Sequence, residues 1–257
     1  MNIFKNLYQY RELLKTNVQK EIRGKYKNSF LGILWSFLNP LLQIAVYAIV
    51  FPLILKNNQP NYVIFLCVAL IPWTFFTTCI QQSAATMIQN GNIIKKVFFP
   101  REILPISVVT SGAVNFIIST IIIFAFVLFS GMGITKYVLF YPVILLVQYL
   151  LQLGLSFIVS SVTVYLRDLE HLIGVALQLL FYATPIVYAA ENIPEDFKFI
   201  ISYNPMTYII NGYRDIFYNQ TCPDFQSLGI MFVVAIVLCV VGYIVFNKLQ
   251  KGFAEEL

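Results

Sequence analysis

Six stretches of this chain are apolar for long enough to cross a lipid bilayer, and that constrains everything else about it. A crossing helix needs roughly 20 apolar residues, at about 1.5 Å each, to cover about 30 Å of hydrocarbon. The qualifying windows are residues 33–55, 62–87, 103–129, 137–166, 172–190 and 227–246. Helices are implied, because a membrane strand alternates apolar and polar residues over about ten positions and these runs stay apolar far longer. The fourth window exceeds the requirement, which implies a tilt or an end that emerges into water. Only 11% of the residues are charged, against about 25% in soluble domains. That composition excludes a disordered chain, a disulfide-stapled secreted domain and a nucleic-acid binder. The expected fold class is an all-α membrane protein with six transmembrane helices.

Orientation follows from where the 17 basic residues fall. Lys5, Arg11, Lys15, Lys20, Arg23, Lys25 and Lys27 precede the first span, and Lys95, Lys96 and Arg101 separate the second from the third. Arg167 separates the fourth from the fifth, and Lys248 and Lys251 follow the sixth. Only Lys56, Lys136, Lys198 and Arg214 fall on the opposite side. An excess of cations on cytoplasmic loops therefore puts both termini in the cytoplasm, as an even number of crossings also requires. No signal peptide is expected, since charges interrupt the first thirty or so residues throughout. The domain plan is an interfacial helix and basic segment over 1–32, one six-helix unit over 33–247 and a cytoplasmic tail over 248–257.

Three connections are not simple loops. Ile3, Leu7, Tyr10, Leu14, Val18 and Ile22 recur at helical spacing among lysines, which predicts an amphipathic helix in the cytoplasmic interface or one packed on a partner. It leads into residues 23–35, where Arg23, Lys25, Lys27 and Trp35 gather at the membrane boundary. Such a cluster holds a phosphate-bearing headgroup or serves as snorkelling topology charge. Residues 91–102 are basic yet carry Ile93, Ile94, Val97, Phe98 and Phe99, a ridge suited to docking a soluble partner or resting on lipid; Pro100 ends any helix there. The outer loop 191–226 is rich in aromatics and predicts two short helices broken at Asn204-Pro205, which dip toward the membrane without crossing or form an interfacial aromatic belt.

No Asp, Glu, Lys or Arg lies well inside any apolar run. Ion-coupled carriers place such groups in mid-membrane to bind the coupling ion, so the energy for any pumping is expected from elsewhere. Neutral polar and aromatic residues fall instead on helical stripes. These are Asn39, Gln43, Tyr47 and Phe51 in the first span, and Ser107, Ser111, Asn115 and Ser119 in the third. The fourth carries Gln148, Gln152, Ser156 and Ser160, and the fifth Gln178, Tyr182 and Pro185. The second adds Trp73, Thr74, Thr77, Thr78, Gln81 and Gln82, whereas the sixth is nearly featureless and is expected at the periphery. A single stripe reads as helix packing. Together they favour an uncharged path lined by aromatics, amides and hydroxyls, which suits sugar rings better than ions.

Several chemistries are missing. A single histidine, His171, precludes a two-histidine metal motif, and no metal site is expected. Its neighbours Arg167, Asp168 and Glu170 form a charged turn, either solvated, partner-facing or the acid/base cluster of a membrane enzyme. The chain lacks a phosphate-binding Gly-rich loop ending in Gly-Lys-Ser/Thr, and lacks Gly-x-Ser-x-Gly.

Four stretches together resemble a known family: residues 23–40 (RGKYKNSFLGILWSFLNP), 95–105 (KKVFFPREILP), 165–188 (YLRDLEHLIGVALQLLFYATPIVY), and Asn204-Pro205 followed by Tyr213-Arg214. They are similar to the membrane subunits of polysaccharide-export ABC transporters, the Wzm-like permeases of O-antigen export and their teichoic acid and capsule relatives. The resemblance implies a homodimer in the bacterial cytoplasmic membrane, joined to two copies of a separate ATPase that binds ATP and Mg. This chain itself would carry no cofactor. The implied cargo is a glycan linked through diphosphate to a polyprenyl lipid. Arg23, Lys25 and Lys27 would meet the diphosphate. Tyr47, Phe51, Tyr182 and Tyr188 would border a lateral lipid gateway. Asn39, Gln43, Trp73, Phe76, Gln81 and the polar stripes would line the glycan path. A coupling helix would present Ile94, Lys95, Phe98, Phe99, Arg101 and Glu102 to the ATPase. Re-entrant gate helices would carry Tyr203, Tyr208, Tyr213 and Phe217. A same-fold exporter of a drug or lipid, and a multi-span acyl- or glycosyltransferase, are the competing readings.

Overall fold

The computed structural model describes residues 3–24, 32–55, 59–190 and 194–257, and all regular structure among them is helical. The helices are α1 (Ile3–Gln9), α2 (Arg11–Gly24), α3 (Trp35–Leu55), α4 (Tyr62–Gln89), α5 (Gly91–Lys96) and α6 (Ile103–Phe129). They continue with α7 (Tyr141–Tyr165), α8 (Leu169–Tyr182), α9 (Lys198–Ser202), α10 (Pro205–Arg214), α11 (Phe225–Leu249) and α12 (Phe253–Glu256). Five segments are long and apolar enough to cross a membrane: α3, α4, α6, α11, and α7 with the 3-10 turn Lys136–Phe140 before it. The long fourth window thus resolves into a tight turn and a helix that starts beside Pro142.

The fifth window departs from expectation. Its helix α8 has 14 residues, about 21 Å of rise, too short to cross on its own. Pro185 stops it: proline supplies no N–H and disfavours helical geometry at Thr184 before it. The chain nevertheless stays inside the protein, with Thr184, Pro185, Ile186 and Val187 all buried. Backbone that leaves a helix in such surroundings must find new hydrogen-bond partners. Side chains provide them. The Tyr188 hydroxyl donates to the Tyr182 carbonyl at 2.6 Å. The Asn204 amide donates to the Ala183 carbonyl at 3.4 Å and to the Thr184 hydroxyl at 2.7 Å. The Arg214 guanidinium reaches the Ile186 carbonyl at 2.9 Å, and the Tyr62 hydroxyl the Val187 carbonyl at 2.8 Å.

Helix α4 is the centre of the bundle, buried along most of its length, with α3, α6, α7, α8 and α10 around it. The featureless α11 leans on α7 and turns Ile230, Val233, Val237, Val240 and Ile244 outward, which is the peripheral position its sequence suggests. The two helices meet through glycines. A Cβ on Gly154 would stand 2.6 Å from the Cys239 backbone nitrogen, and Gly242 is placed just as tightly against Gly154.

Contacts sort the connections into two groups. At one end, α2 lies on α6, with Leu7, Tyr10, Leu13 and Leu14 packed on Met87, Ile94, Phe99 and Leu104. The same end holds the turn after α7 and the chain's last residues: the Tyr165 hydroxyl donates to the Leu249 carbonyl at 2.7 Å, and Arg167 to the Glu256 carbonyl at 3.3 Å. At the other end, the Tyr218 hydroxyl donates to the Pro60 carbonyl at 2.6 Å, and the Gln220 amide to the Met132 and Gly133 carbonyls at 3.1 and 2.9 Å. Replacing Gly154 with Val should cost about 1–3 kcal/mol by overpacking and lower the melting temperature of the detergent-solubilised protein. An unchanged melting temperature would contradict the close α7–α11 contact.

Candidate functional site

Three of the polar stripes converge. A cavity of about 300 Å³ opens between α3, α4 and α6, lined by Asn39, Thr74, Thr78, Asn115 and Ser119 with Trp35, Phe75 and Phe116 as aromatic walls. Part of each stripe reaches this space, Asn39 from α3, Thr74 and Thr78 from α4, and Asn115 and Ser119 from α6, so three helices present hydroxyls and amides to it without a formal charge. The Asn115 side-chain oxygen is buried there with no hydrogen-bond partner, an acceptor available to a hydroxyl. Gln43 on α3 and Gln81 on α4 lie exposed, outside this cavity.

The aromatics proposed for the path and the lipid gateway form a contiguous group. Tyr47 meets Phe51 edge-on at 5.4 Å between ring centroids and Phe181 at 5.8 Å. Trp73 contacts Phe76 at 5.5 Å and Phe181 at 5.9 Å, and Phe181 stands edge-on to Tyr182 at 5.3 Å. Trp73 and Phe76 are buried within the subunit, Tyr182 is exposed, and Tyr47, Phe51 and Tyr188 are half-buried. Phe181, which joins α3, α4 and α8, lies three residues after Gln178 and four before Pro185, on the same helical face as that stripe, but its apolar side chain gave no polar mark to single it out.

The α7 stripe is helix packing. Gln148 donates to the Pro72 carbonyl at 2.9 Å and accepts from the Tyr213 hydroxyl at 3.0 Å, tying α4, α7 and α10 together. Ser156 accepts from Ser83 at 2.9 Å. Gln148, Gln152, Ser156 and Ser160 are all completely buried against neighbouring helices, although neither polar atom of the Gln152 amide has a hydrogen-bond partner.

At the α2 end, the segment 91–102 is a one-and-a-half-turn helix followed by extended chain, with Val97 already at φ −127° ahead of Pro100. Alternation then sends consecutive phenylalanines in opposite directions: Phe98 is 90% exposed and Phe99 only 8%. Ile94 is buried with Phe99, while Ile93 and Val97 flank Phe98 on the outside and Lys95 is exposed. Arg101 does not point outward; it donates to the Gln250 carbonyl and lies over the Phe253 ring at 5.8 Å. Glu102 is buried, accepting from the Asn6 amide at 2.9 Å with its second oxygen unpartnered. Phe253 is fully buried, which the charged ending of the sequence did not foretell. Arg23 is exposed at the end of α2; Lys25 and Lys27 lie outside the described residues.

At the opposite end, Asn204 caps α10 by accepting from the Met206 amide at 3.0 Å, with Pro205 in the first helical position. Of the four gate aromatics, Tyr203 is exposed and Tyr208 half-buried, its hydroxyl donating to the Ser202 carbonyl at 2.8 Å. Tyr213 and Phe217 are buried, the latter edge-on to Phe124 at 5.3 Å, and they pack α10 and the turn after it into the bundle. Arg214 is buried too, its guanidinium 3.6 Å from the centroid of the Phe65 ring. Burial pulls its pKa down to about 9 against the opposing pull of Tyr218, Tyr62 and Tyr188, so it stays cationic at neutral pH. Sequence reasoning counted it as an outer-loop charge; only its place directly after Tyr213 in the resemblance motif set it apart.

Residues 12–218 match the ABC-2 type transporter family. Over 253 residues the chain is 38% identical to the O-antigen export system permease protein RfbA of Klebsiella pneumoniae, covering 98% of this chain and 97% of that one. It is 34% identical over 259 residues to the protein of the same name from Myxococcus xanthus, covering 100% of both.

The opposed phenylalanines give a direct check on the geometry. Phe99→Ala should cost about 3–5 kcal/mol by leaving a cavity, whereas Phe98→Ala should leave the melting temperature within about a degree of the parent. Equal losses from both would contradict the extended chain ahead of Pro100.

Proposed function

The chain belongs to the ABC-2 type transporter family, and on that premise we propose that it is the transmembrane subunit of an ATP-driven exporter of a polyprenyl-diphosphate-linked polysaccharide, of the O-antigen or teichoic acid type. The observation that carries this reading is likeness over nearly the whole chain to permeases named for O-antigen export. The interior agrees with it. A cavity of amides, hydroxyls and aromatic faces can pair with sugar hydroxyls and C–H surfaces, and no carboxylate or cation lies in mid-span to couple an ion.

In this reading the chain crosses the bacterial cytoplasmic membrane six times. The fifth crossing consists of α8 and the buried segment after it, and both termini are cytoplasmic. Support comes from the two groups of connections and from the cations, most of which gather with α2, α5 and the chain's end. The interfacial helix and basic segment occupy 1–32, the transmembrane unit 33–247 and the cytoplasmic end 248–257. Two copies pair through the continuous apolar faces of α3 and α8, where Val46, Ile49, Val175 and Leu179 are exposed. Each copy engages one ATPase subunit, which binds ATP and Mg. Phe98 is the contact that enters the ATPase, with Lys95 beside it, while Ile94, Phe99, Arg101 and Glu102 hold that contact in position from within. Arg23, Lys25 and Lys27 meet the lipid diphosphate. Tyr47, Phe51, Tyr182 and Tyr188 border the lipid gateway, Asn39, Gln43, Trp73, Phe76 and Gln81 line the path, and Tyr203 and Tyr208 form the outer gate on a base of Tyr213 and Phe217.

Reconstituting the chain with its ATPase and a lipid-linked glycan in vesicles tests the proposal. ATP should drive the glycan to the far side, and Phe98→Ser should abolish transport while the protein stays folded and inserted. Uphill movement powered by a proton or sodium gradient without the ATPase would overturn it, and undiminished transport by Phe98→Ser would overturn the coupling role.

A further inference from the structure

A second cavity, of about 450 Å³, lies at the outer end between the start of α4, helix α10 and the start of α11, apart from the polar cavity in the membrane. Its volume falls in the range of roughly 300–1,000 Å³ usual for small-ligand sites. Tyr208 and Tyr218 supply aromatic surface, and Gln59, Asn211, Asp215 and Asn219 supply planar amides and a carboxylate. Several of these groups are held in place. The Tyr218 hydroxyl is fixed on the Pro60 carbonyl at 2.6 Å, and the Tyr208 hydroxyl on the Ser202 carbonyl at 2.8 Å. Asn219 donates to Asp215 at 3.0 Å, and Asp224, which caps α11, accepts from the Gln226 amide at 3.0 Å. The Asn211 side chain has no hydrogen-bond partner among the described residues, so its amide is available to an occupant.

The charges choose the occupant. Arg214 is one wall: one guanidinium N–H donates to the Ile186 carbonyl and the group lies over the Phe65 face, while its buried Nε–H has no partner and remains a donor for a hydroxyl. Asp215 and Asp224 add two negative charges, so the lining carries a net formal charge of −1, which favours a neutral occupant over a phosphate dianion. Carboxylate and amide groups accept from and donate to neighbouring ring hydroxyls, while tyrosine faces receive C–H surfaces. We propose that this cavity is an exit subsite that binds an uncharged pyranose unit of the glycan as the chain emerges at the outer face. The proposal rests on the export reading above. By holding each emerging unit it would oppose backsliding of the polymer between ATPase cycles.

The test is saturation-transfer NMR on the full chain in lipid nanodiscs with methyl α-glycosides of glucose, galactose, mannose, rhamnose and N-acetylglucosamine, which mimic an interior unit of a polymer. At least one should receive saturation on its ring protons. Asn211→Ala and Asp215→Asn should each weaken its binding by roughly tenfold, the scale of a lost hydrogen bond to a fixed partner. Both variants should melt with the parent, and Phe98→Ser, at the far end of the molecule, should bind as the parent does. No transfer to any of the five would overturn the subsite, as would transfer unchanged in both variants, displacement by inorganic phosphate, or binding restricted to free reducing sugars. ATP-driven export without glycoside binding would sink the subsite alone. Glycoside binding that depends on Asn211 and Asp215 in a protein that exports nothing would support the sugar site and sink the export reading.

Discussion

Peptide groups released from a helix inside a bundle in lipid have no water to turn to, and each one left unpaired costs several kcal/mol. The rest of this structure depends on how that demand is met after Tyr182. Four side chains, Tyr188 beside the segment and Tyr62, Asn204 and Arg214 from elsewhere in the chain, satisfy the carbonyls of residues 182, 183, 186 and 187. Two of the four come from the short helix α10 and its cap. The broken segment and α10 are therefore one unit: α10 packs against the break because it carries the donors, and the break is tolerated because α10 is there. Tyr213 extends the same linkage through Gln148 to the carbonyl of Pro72 in the central helix.

This arrangement explains where the buried charges lie. Arg214 and Glu102 are the buried ionisable side chains of opposite sign, and they sit at opposite ends of the bundle, clear of its middle. Arg214 serves backbone and an aromatic face; Glu102 receives the amide of Asn6. The intervening interior is left to neutral hydroxyls and amides, which hydrogen-bond without the desolvation cost of a buried charge. At the α2 end the last residues of the chain are equally integral, with Phe253 inserted beside Phe246 and beneath Arg101. Motion applied at Phe98 would reach α6 and α11 together through that packing.

Much of the fold was legible because apolar length and caps are local properties. The run 103–129 coincides with α6, and Asn204-Pro205 marks the start of α10 through a capping side chain and a proline suited to the first turn. The fifth window was expected to be one long helix because an apolar run reports burial, and residues 184–187 are buried without being helical. Pro185 was visible as part of a stripe, but the partners that make its break tolerable come from residues 62, 204 and 214, too far along the chain to be read locally. The same limit applies to the site. Spacing placed Asn39, Asn115 and Ser119 on faces that do converge, whereas the equally regular stripe on α7 turned out to be internal glue. Phe98 and Phe99 were grouped as one ridge because a helix was expected; extended chain before Pro100 divides them.

In the proposed six-crossing topology the broken segment carries the chain from one face of the membrane to the other, and the residues that bracket it make this measurable. Asp168 precedes α8 and Cys222 follows the re-entrant unit, and both are exposed, while the native Cys67 and Cys79 are buried. A membrane-impermeant maleimide applied to intact spheroplasts should label native Cys222, and in a Cys222→Ser background should label Asp168→Cys only after the membrane is permeabilised. Labelling of both positions from the same side would mean that α8 and the segment after it turn back without crossing.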